Sequence, residues 1–213
     1  TRAAAELEIS REETSNATVM RAMLDVSDAL TADNERSRLV NEMAALRVLL
    51  VNGAPASTRN DDELRLLAPA VSIRRPEQRQ VKAQRIDAAA LSSVSLDDFD
   101  VLVLANAPPP SQEQVTRLTD FVEAGGGLLV AAGDHVEPVA YRALLGPLLP
   151  ALPRGRAEAS PALGVSPGTT KGLIPGGSRS LSSAHTSRRM LVERPPATTK
   201  VALSFGDGTP ALL

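Results

Sequence analysis

The sequence predicts an α/β domain in which a parallel sheet carries helices on both faces, with a small β unit ahead of it. Three observations predict this. Leu46–Val51, Asp100–Ala105 and Leu128–Ala132 are short, almost wholly apolar runs, as parallel strands buried on both faces are. A polar stretch between the last two carries Val115, Leu118, Phe121 and Val122 at the 3/4 spacing of an amphipathic helix. Gly125-Gly126-Gly127 then ends that helix just before the next strand. Strands that alternate with helices pair in parallel, because each helix is the crossover that brings the chain back.

Composition bounds the chemistry. The chain has 213 residues, 43% hydrophobic and 2% aromatic, so its core is built from Leu, Val and Ala. A net charge of −2 gives no field that favours nucleic acid or an anionic membrane, and stacking platforms for bases are missing. There is no cysteine, which excludes disulfides and thiolate catalysis. No run approaches the ~18 apolar residues of a membrane helix. The chain begins at Thr1 and stops at Leu213 inside an apolar run, so the expectation is a fragment of a longer protein.

Taken in order, Glu6–Ser10, Ala17–Val26 and Arg36–Glu42 suit strands with one wet face. Asp28–Asn34 between them is a turn. Residues 1–42 are therefore expected to be a partial β-sandwich, and residues 43–213 the α/β domain. After Leu46–Val51, Asn60 is placed to cap a helix whose first turn holds Asp61, Asp62 and Glu63. Leu64, Leu67 and Val71 form its buried stripe, and Pro69 limits its length. Val81–Ile86 is a short strand with Val81, Ala83 and Arg85 on one face. Pro108-Pro109-Pro110 leads to Ser111, an N-cap with Glu113 and Gln114 in the first turn. Pro138 opens a short helix through Leu145. Residues 150–189, rich in Pro, Gly, Ser and Arg, read as an irregular surface excursion. Met190–Glu193, Lys200–Ser204 and Ala211–Leu213 are late strands, the last two joined by the hairpin signal Asp207-Gly208.

Ligands on such sheets bind beyond the carboxyl ends of the strands. That puts Asn52, Asn106, Asp134 and His135 on one rim. The two asparagines either contact a ligand or hold strand-to-loop turns. His135 beside Asp134 is either a base or part of the turn leading into the next helix, with Asp134 capping free N–H groups. The triple glycine follows a helix and precedes a strand, the reverse of a phosphate loop. His185 stands among serines without a nucleophile elbow. With only His135 and His185, no metal-ligand spacing exists, and no cofactor is expected. The arginines Arg154, Arg156, Arg179, Arg188 and Arg189 either meet an acidic partner or cover a solvated loop.

Asp28–Asn34, Leu46–Asn52, Asp98–His135 with its triple glycine, and Val201–Leu212 together resemble, in order, the class I glutamine amidotransferase-like segment of bacterial BatA-type (aerotolerance regulator-like) membrane proteins, which often also carry a von Willebrand factor A domain. The resemblance implies a flavodoxin-like fold after an immunoglobulin-like β unit, in a parent anchored in the bacterial inner membrane with this segment outside the cytoplasm. The amidotransferase Cys-His-Glu triad has no cysteine here to map onto. The expected role is therefore a non-catalytic interaction or structural domain, whose partners are other proteins or domains of the same membrane-tethered parent. The rival expectation is a cysteine-free hydrolase or sugar-processing enzyme on the same scaffold, similar to trehalose-utilisation-type proteins, which also place a glycine-rich strand before a histidine.

Overall fold

A computed structural model describes residues 18–23, 35–40, 45–56, 62–72, 80–167 and 185–213. The expectations for Glu6–Ser10, the Asp28–Asn34 turn and the Asn60-Asp61 helix start lie outside the described residues. β1 (Thr18–Met23) and β2 (Glu35–Val40) pair antiparallel with Thr18 opposite Val40. They belong to one compact unit, and all later elements belong to a second.

The second unit is built on four parallel strands, β3 (Leu46–Asn52), β4 (Val81–Asp87), β5 (Val101–Ala105) and β6 (Gly127–Ala131), in the order β4-β3-β5-β6. These are the four strands expected, in one parallel sheet. Strand alternation divides the core in two. Leu49, Val51, Leu102 and Leu104 pack on one face against α2 (Gln112–Glu123), α3 (Pro138–Leu145) and the 3-10 turn Ala88–Ser93, through Leu91, Val115, Leu118, Phe121, Tyr141 and Leu145. Val48, Leu50, Val103 and Ala105 face the other way and meet Leu64 with Leu67, Ala68 and Val71 of α1 (Leu67–Ser72). Helices thus cover both faces of the central strands. At the edge, β6 is covered on one side only: Leu128 and Val130 join the first cluster, whereas Leu129 is 38% exposed.

Local signals set the helix ends. Ser111 accepts from the Gln114 N–H at 3.3 Å, and the Gln114 side chain accepts from the Ser111 N–H at 2.9 Å, a complete capping box. Gly125 takes a left-handed φ of 97° and ends α2. Gly126 is needed for a different reason, since a Cβ there would overlap the Phe121 ring. At the amino end of the sheet, the Asp100 carboxylate accepts from the Arg47 N–H at 2.8 Å and Asp100 N–H donates to Arg47 O at 2.8 Å, which fixes the register of β5 on β3.

Two expectations are corrected. The acids Asp62 and Glu63 do not open a helix. The Asp62 carboxylate instead accepts from the Leu64 N–H two residues on, a turn follows, and α1 starts at Leu67. Pro69 lies inside α1, between the Ala68 and Ala70 N–H groups that donate to Leu64 O and Leu66 O, and the helix runs on to Ser72. The excursion at 150–189 is also not irregular throughout. β7 (Pro153–Pro167) and β8 (His185–Val192) pair antiparallel, and β9 (Leu203–Phe205) and β10 (Pro210–Leu212) complete a second sheet in the order β10-β9-β7-β8. Register shifts between Pro153 and Gly155 and between Glu158 and Leu163 interrupt the alternation of β7, which is why its sequence lacks the period of a strand. The hairpin at Asp207-Gly208 forms as the sequence indicates. Gly208 has φ 82°, and Asp207 accepts from the Thr209 hydroxyl and N–H. The Thr209 hydroxyl, then Arg189, lower the Asp207 pKa to about 2.

Leu118 is fully buried between α2 and the sheet. Leu118→Ala is expected to cost about 2–5 kcal/mol in chemical denaturation. Val139→Ala, at a position 80% exposed, is expected to stay within about 0.5 kcal/mol. Equal losses would contradict the assignment of the core.

Candidate functional site

The chain runs from β3 outward to β4 and then returns to β5 on the opposite side of β3. The carboxyl ends of β3 and β5 are therefore the switch point at which a sheet of this kind offers a crevice. Asn52 ends β3 and Asn106 follows β5, and both are buried. The ladders continue past the strands: Gly53 N–H donates to Ala105 O at 2.8 Å and Asn106 N–H to Ala131 O at 2.9 Å.

Asn106 is the centre of the rim. Its backbone takes a left-handed φ of 48°, a conformation asparagine tolerates better than most residues. Its Nδ2 donates to Glu63 Oε1 at 2.7 Å, and its Oδ1 accepts from the His135 N–H at 2.7 Å. Two glycines make room for it. A Cβ on Gly53 would overlap the Asn106 carbonyl, and one on Gly133 would overlap the Asn106 side chain. The crevice between the β3 and β5 loops is thus filled by the chain itself.

Asn52 bonds in a similar way at the end of the neighbouring strand. Its Oδ1 accepts from Ala54 N–H at 3.1 Å and its Nδ2 donates to Asp62 Oδ2 at 3.2 Å. Asp62, with a side chain only 8% exposed, also accepts from the Arg85 guanidinium. Burial pushes the Asp62 pKa up, but the bonds from Arg85, Leu64 N–H and Asn52 outweigh it and hold the carboxyl below its usual value. Arg85 reaches this site from the face of β4 that it shares with Val81 and Ala83, as the strand alternation predicts.

The structure brings Asn52, Asn106 and His135 together and leaves Asp134 apart. The His135 ring donates from Nδ1 to Gly53 O at 2.8 Å, so Nε2 is the nitrogen left without a partner among the described residues. Asp134 does not cap α3: the N-cap is Glu137, whose side chain makes no capping bond. The Asp134 carboxylate lies 3.5 Å from Arg188, with both side chains about 70% exposed. The carbonyls of Asp134 and Val136 accept from Arg156, so an arginine from β7 organises the turn before α3. Beyond Asn106, the Tyr141 hydroxyl donates to Ala107 O at 2.7 Å in the core, and burial raises its pKa to about 12.

Sequence reasoning gave Glu63 and Arg156 other roles, a helix-start acid and a cation of the excursion, and passed over Gly53 and Gly133. A glycine just beyond the ends of both β3 and β6, flanking a buried Asn after β5, was the available signal, because close backbone approach needs glycine. Among the described residues, no group of three or more His, Asp or Glu side chains stands together as a metal site. No described helix is long and apolar enough to cross a membrane. Comparison with protein-family models, with curated proteins and with solved structures finds no match to this chain.

Two measurements test the rim. Asn106→Asp sets a carboxylate against Glu63 and is expected to destabilise the fold by about 1–3 kcal/mol, and Glu63→Gln in the same chain should recover some of the loss. A coupling near zero in that cycle would contradict the Asn106–Glu63 bond. Tyr141 is the chain's sole tyrosine, and tryptophan is absent, so ultraviolet titration reads its ionisation directly. Its folded pKa is raised above the unfolded value near 10, so its contribution is complete below pH 10 and is lost as the pH rises toward 12. Ionisation at pH 10 without unfolding would contradict the buried hydroxyl.

Proposed function

We propose that this chain is a non-catalytic, amidotransferase-like domain of flavodoxin-like type, serving an interaction or structural role in a membrane-tethered bacterial protein. One observation carries the reading: the switch point is filled. Asn52 and Asn106, the polar groups best placed to greet a ligand, are buried and bonded to Asp62, Glu63 and backbone N–H groups, and Gly53 lies directly on Asn106. A substrate pocket needs converging polar groups that remain available. The strand order β4-β3-β5-β6 is that of the first four positions of the flavodoxin-like order and supports the finer fold assignment. The membrane-tethered parent, its extracytoplasmic placement and its partners rest on the sequence resemblance alone.

His135 favours the second reading, a cysteine-free hydrolase. With Nδ1 anchored on Gly53 O, Nε2 is oriented as a general base is. It still needs a nucleophile or an activated water.

Purified protein is expected to release no ammonia from glutamine, since no thiolate is present, and to hydrolyse no panel of p-nitrophenyl glycosides or esters. Turnover that His135→Ala abolishes would overturn the proposal in favour of the hydrolase. Fractionation of the full-length parent addresses the tethering: recovery in the membrane fraction is expected, and recovery as a freely soluble protein would contradict it.

A further inference from the structure

β6 is the last strand of the parallel sheet. β5 pairs with one of its edges, and among the described residues no strand pairs with the other. The register decides which groups that open edge presents. Gly127 N–H donates to Asp100 O, and Ala131 O accepts from Asn106 N–H, so Gly127, Leu129 and Ala131 turn their backbone groups toward β5. Leu128 and Val130, which alternate with them, turn N–H and C=O outward. Such a row is a template for another strand, and natural edges are blunted by charge or proline. The far edge of this sheet follows that rule, with Lys82 and Arg85 exposed on β4. β6 reads Gly-Leu-Leu-Val-Ala, with neither. Its second face is also bare. Leu129 is 38% exposed and Ala131 is exposed, whereas their neighbours on β5, Val103 and Ala105, are buried under α1.

We propose that the open edge of β6 binds a second copy of this chain, the two β6 strands pairing antiparallel across a two-fold axis at Leu129 and joining the two parallel sheets into one. The strand is self-complementary in that register. Leu129 stands opposite its own copy, Leu128 opposite the partner's Val130, and Gly127 opposite the partner's Ala131. The Leu128 and Val130 pairs are then the hydrogen-bonded ones, each exchanging two N–H to C=O bonds through groups that already point outward. Leu129 and its copy form the non-hydrogen-bonded pair between them, where Cα atoms approach to about 4.5 Å. Gly127 and Ala131 on the same face are small, which leaves each Leu129 side chain room to lie across the partner strand. β6 carries no charge, so the pairing sets no like charges opposite each other on the strand. A second copy is the fitting occupant because this one register pairs every outward group of Leu128 and Val130 and covers Leu129 at once. The edge is remote from the filled switch point in role, and the pairing holds whatever role the domain serves.

The experiment is sedimentation velocity of the intact chain across a concentration series. A reversible dimer is expected, with Kd on the order of tens of micromolar, as suits a small interface. Leu129→Lys sets two charges opposite each other at the axis and is expected to weaken the dimer by about tenfold or more, with the fold retained by circular dichroism. The chain has no cysteine, so a single introduced thiol reads the register independently of that variant. Under mild oxidation Leu129→Cys is expected to give a disulfide-linked dimer, because the central pair lies within disulfide reach. Lys82→Cys, on the charged edge, is expected to stay monomeric on a denaturing gel. A chain that remains monomeric at several hundred micromolar overturns the proposal and leaves the edge to a strand of another protein. A dimer that Leu129→Lys leaves intact, or cross-linking at position 82 equal to that at 129, places the contact on another surface and overturns it as well.

Discussion

The amide of Asn106 is the constraint on which the rim depends. It stands where β5 ends, and its side chain and backbone together reach the residues that follow β3, precede α1 and follow β6. Its Nδ2 takes Glu63, its Oδ1 takes the His135 N–H, its own N–H takes Ala131 O, and its carbonyl lies against Gly53. No other side chain of this size both donates and accepts in that geometry while tolerating a left-handed backbone. An aspartate would repel Glu63, a leucine would leave the His135 N–H without its acceptor, and a β-branched residue would resist the φ of 48°. Three segments far apart in sequence are therefore held at one end of the sheet by a single polar group inside a Leu-Val-Ala core.

This arrangement closes the carboxyl end of the central strands. The place where such sheets usually keep a crevice is occupied by the chain, with acids at 62 and 63 bonded to the two asparagines and the asparagines bonded to the turns. The helices on the first face lean on the same region, since Tyr141 of α3 bonds Ala107 next to Asn106. After α3 the chain does not add a fifth parallel strand among the described residues. It turns into the long strand β7, whose Arg156 reaches back to fix the turn at Asp134–Glu137.

The parallel sheet was legible because its signals are local and strong. Leu46–Val51 and Asp100–Ala105 are almost unbroken apolar runs, Ser111 and Gln114 announce α2, and Gly125 ends it. The late hairpin was legible from Asp207-Gly208. The second sheet was not, because β7 contains prolines and register shifts that erase its alternation, and its pairing with β8 and β9 is a long-range fact. The site was half legible. Position after a buried strand identified Asn52, Asn106 and His135, but not what they bond. Asp62 and Glu63 satisfy the local rule for a helix start and serve instead as partners of the asparagines across the rim. Asp134 likewise satisfies the rule for an N-cap, while Arg156, remote in sequence, organises that turn.

Amide hydrogen exchange at Gly53, Asn106 and His135 tests the closed rim most directly. Each N–H is bonded at the end of the sheet, to Ala105 O, Ala131 O and Asn106 Oδ1, although the His135 side chain itself is exposed. If the rim is a fixed element of the fold, all three amides exchange slowly, with protection close to that of Leu50 and Leu104 in the central strands. Exchange at His135 and Gly53 as fast as in an unstructured peptide, with the central strands still protected, would mean that the switch point opens in solution and would contradict the account.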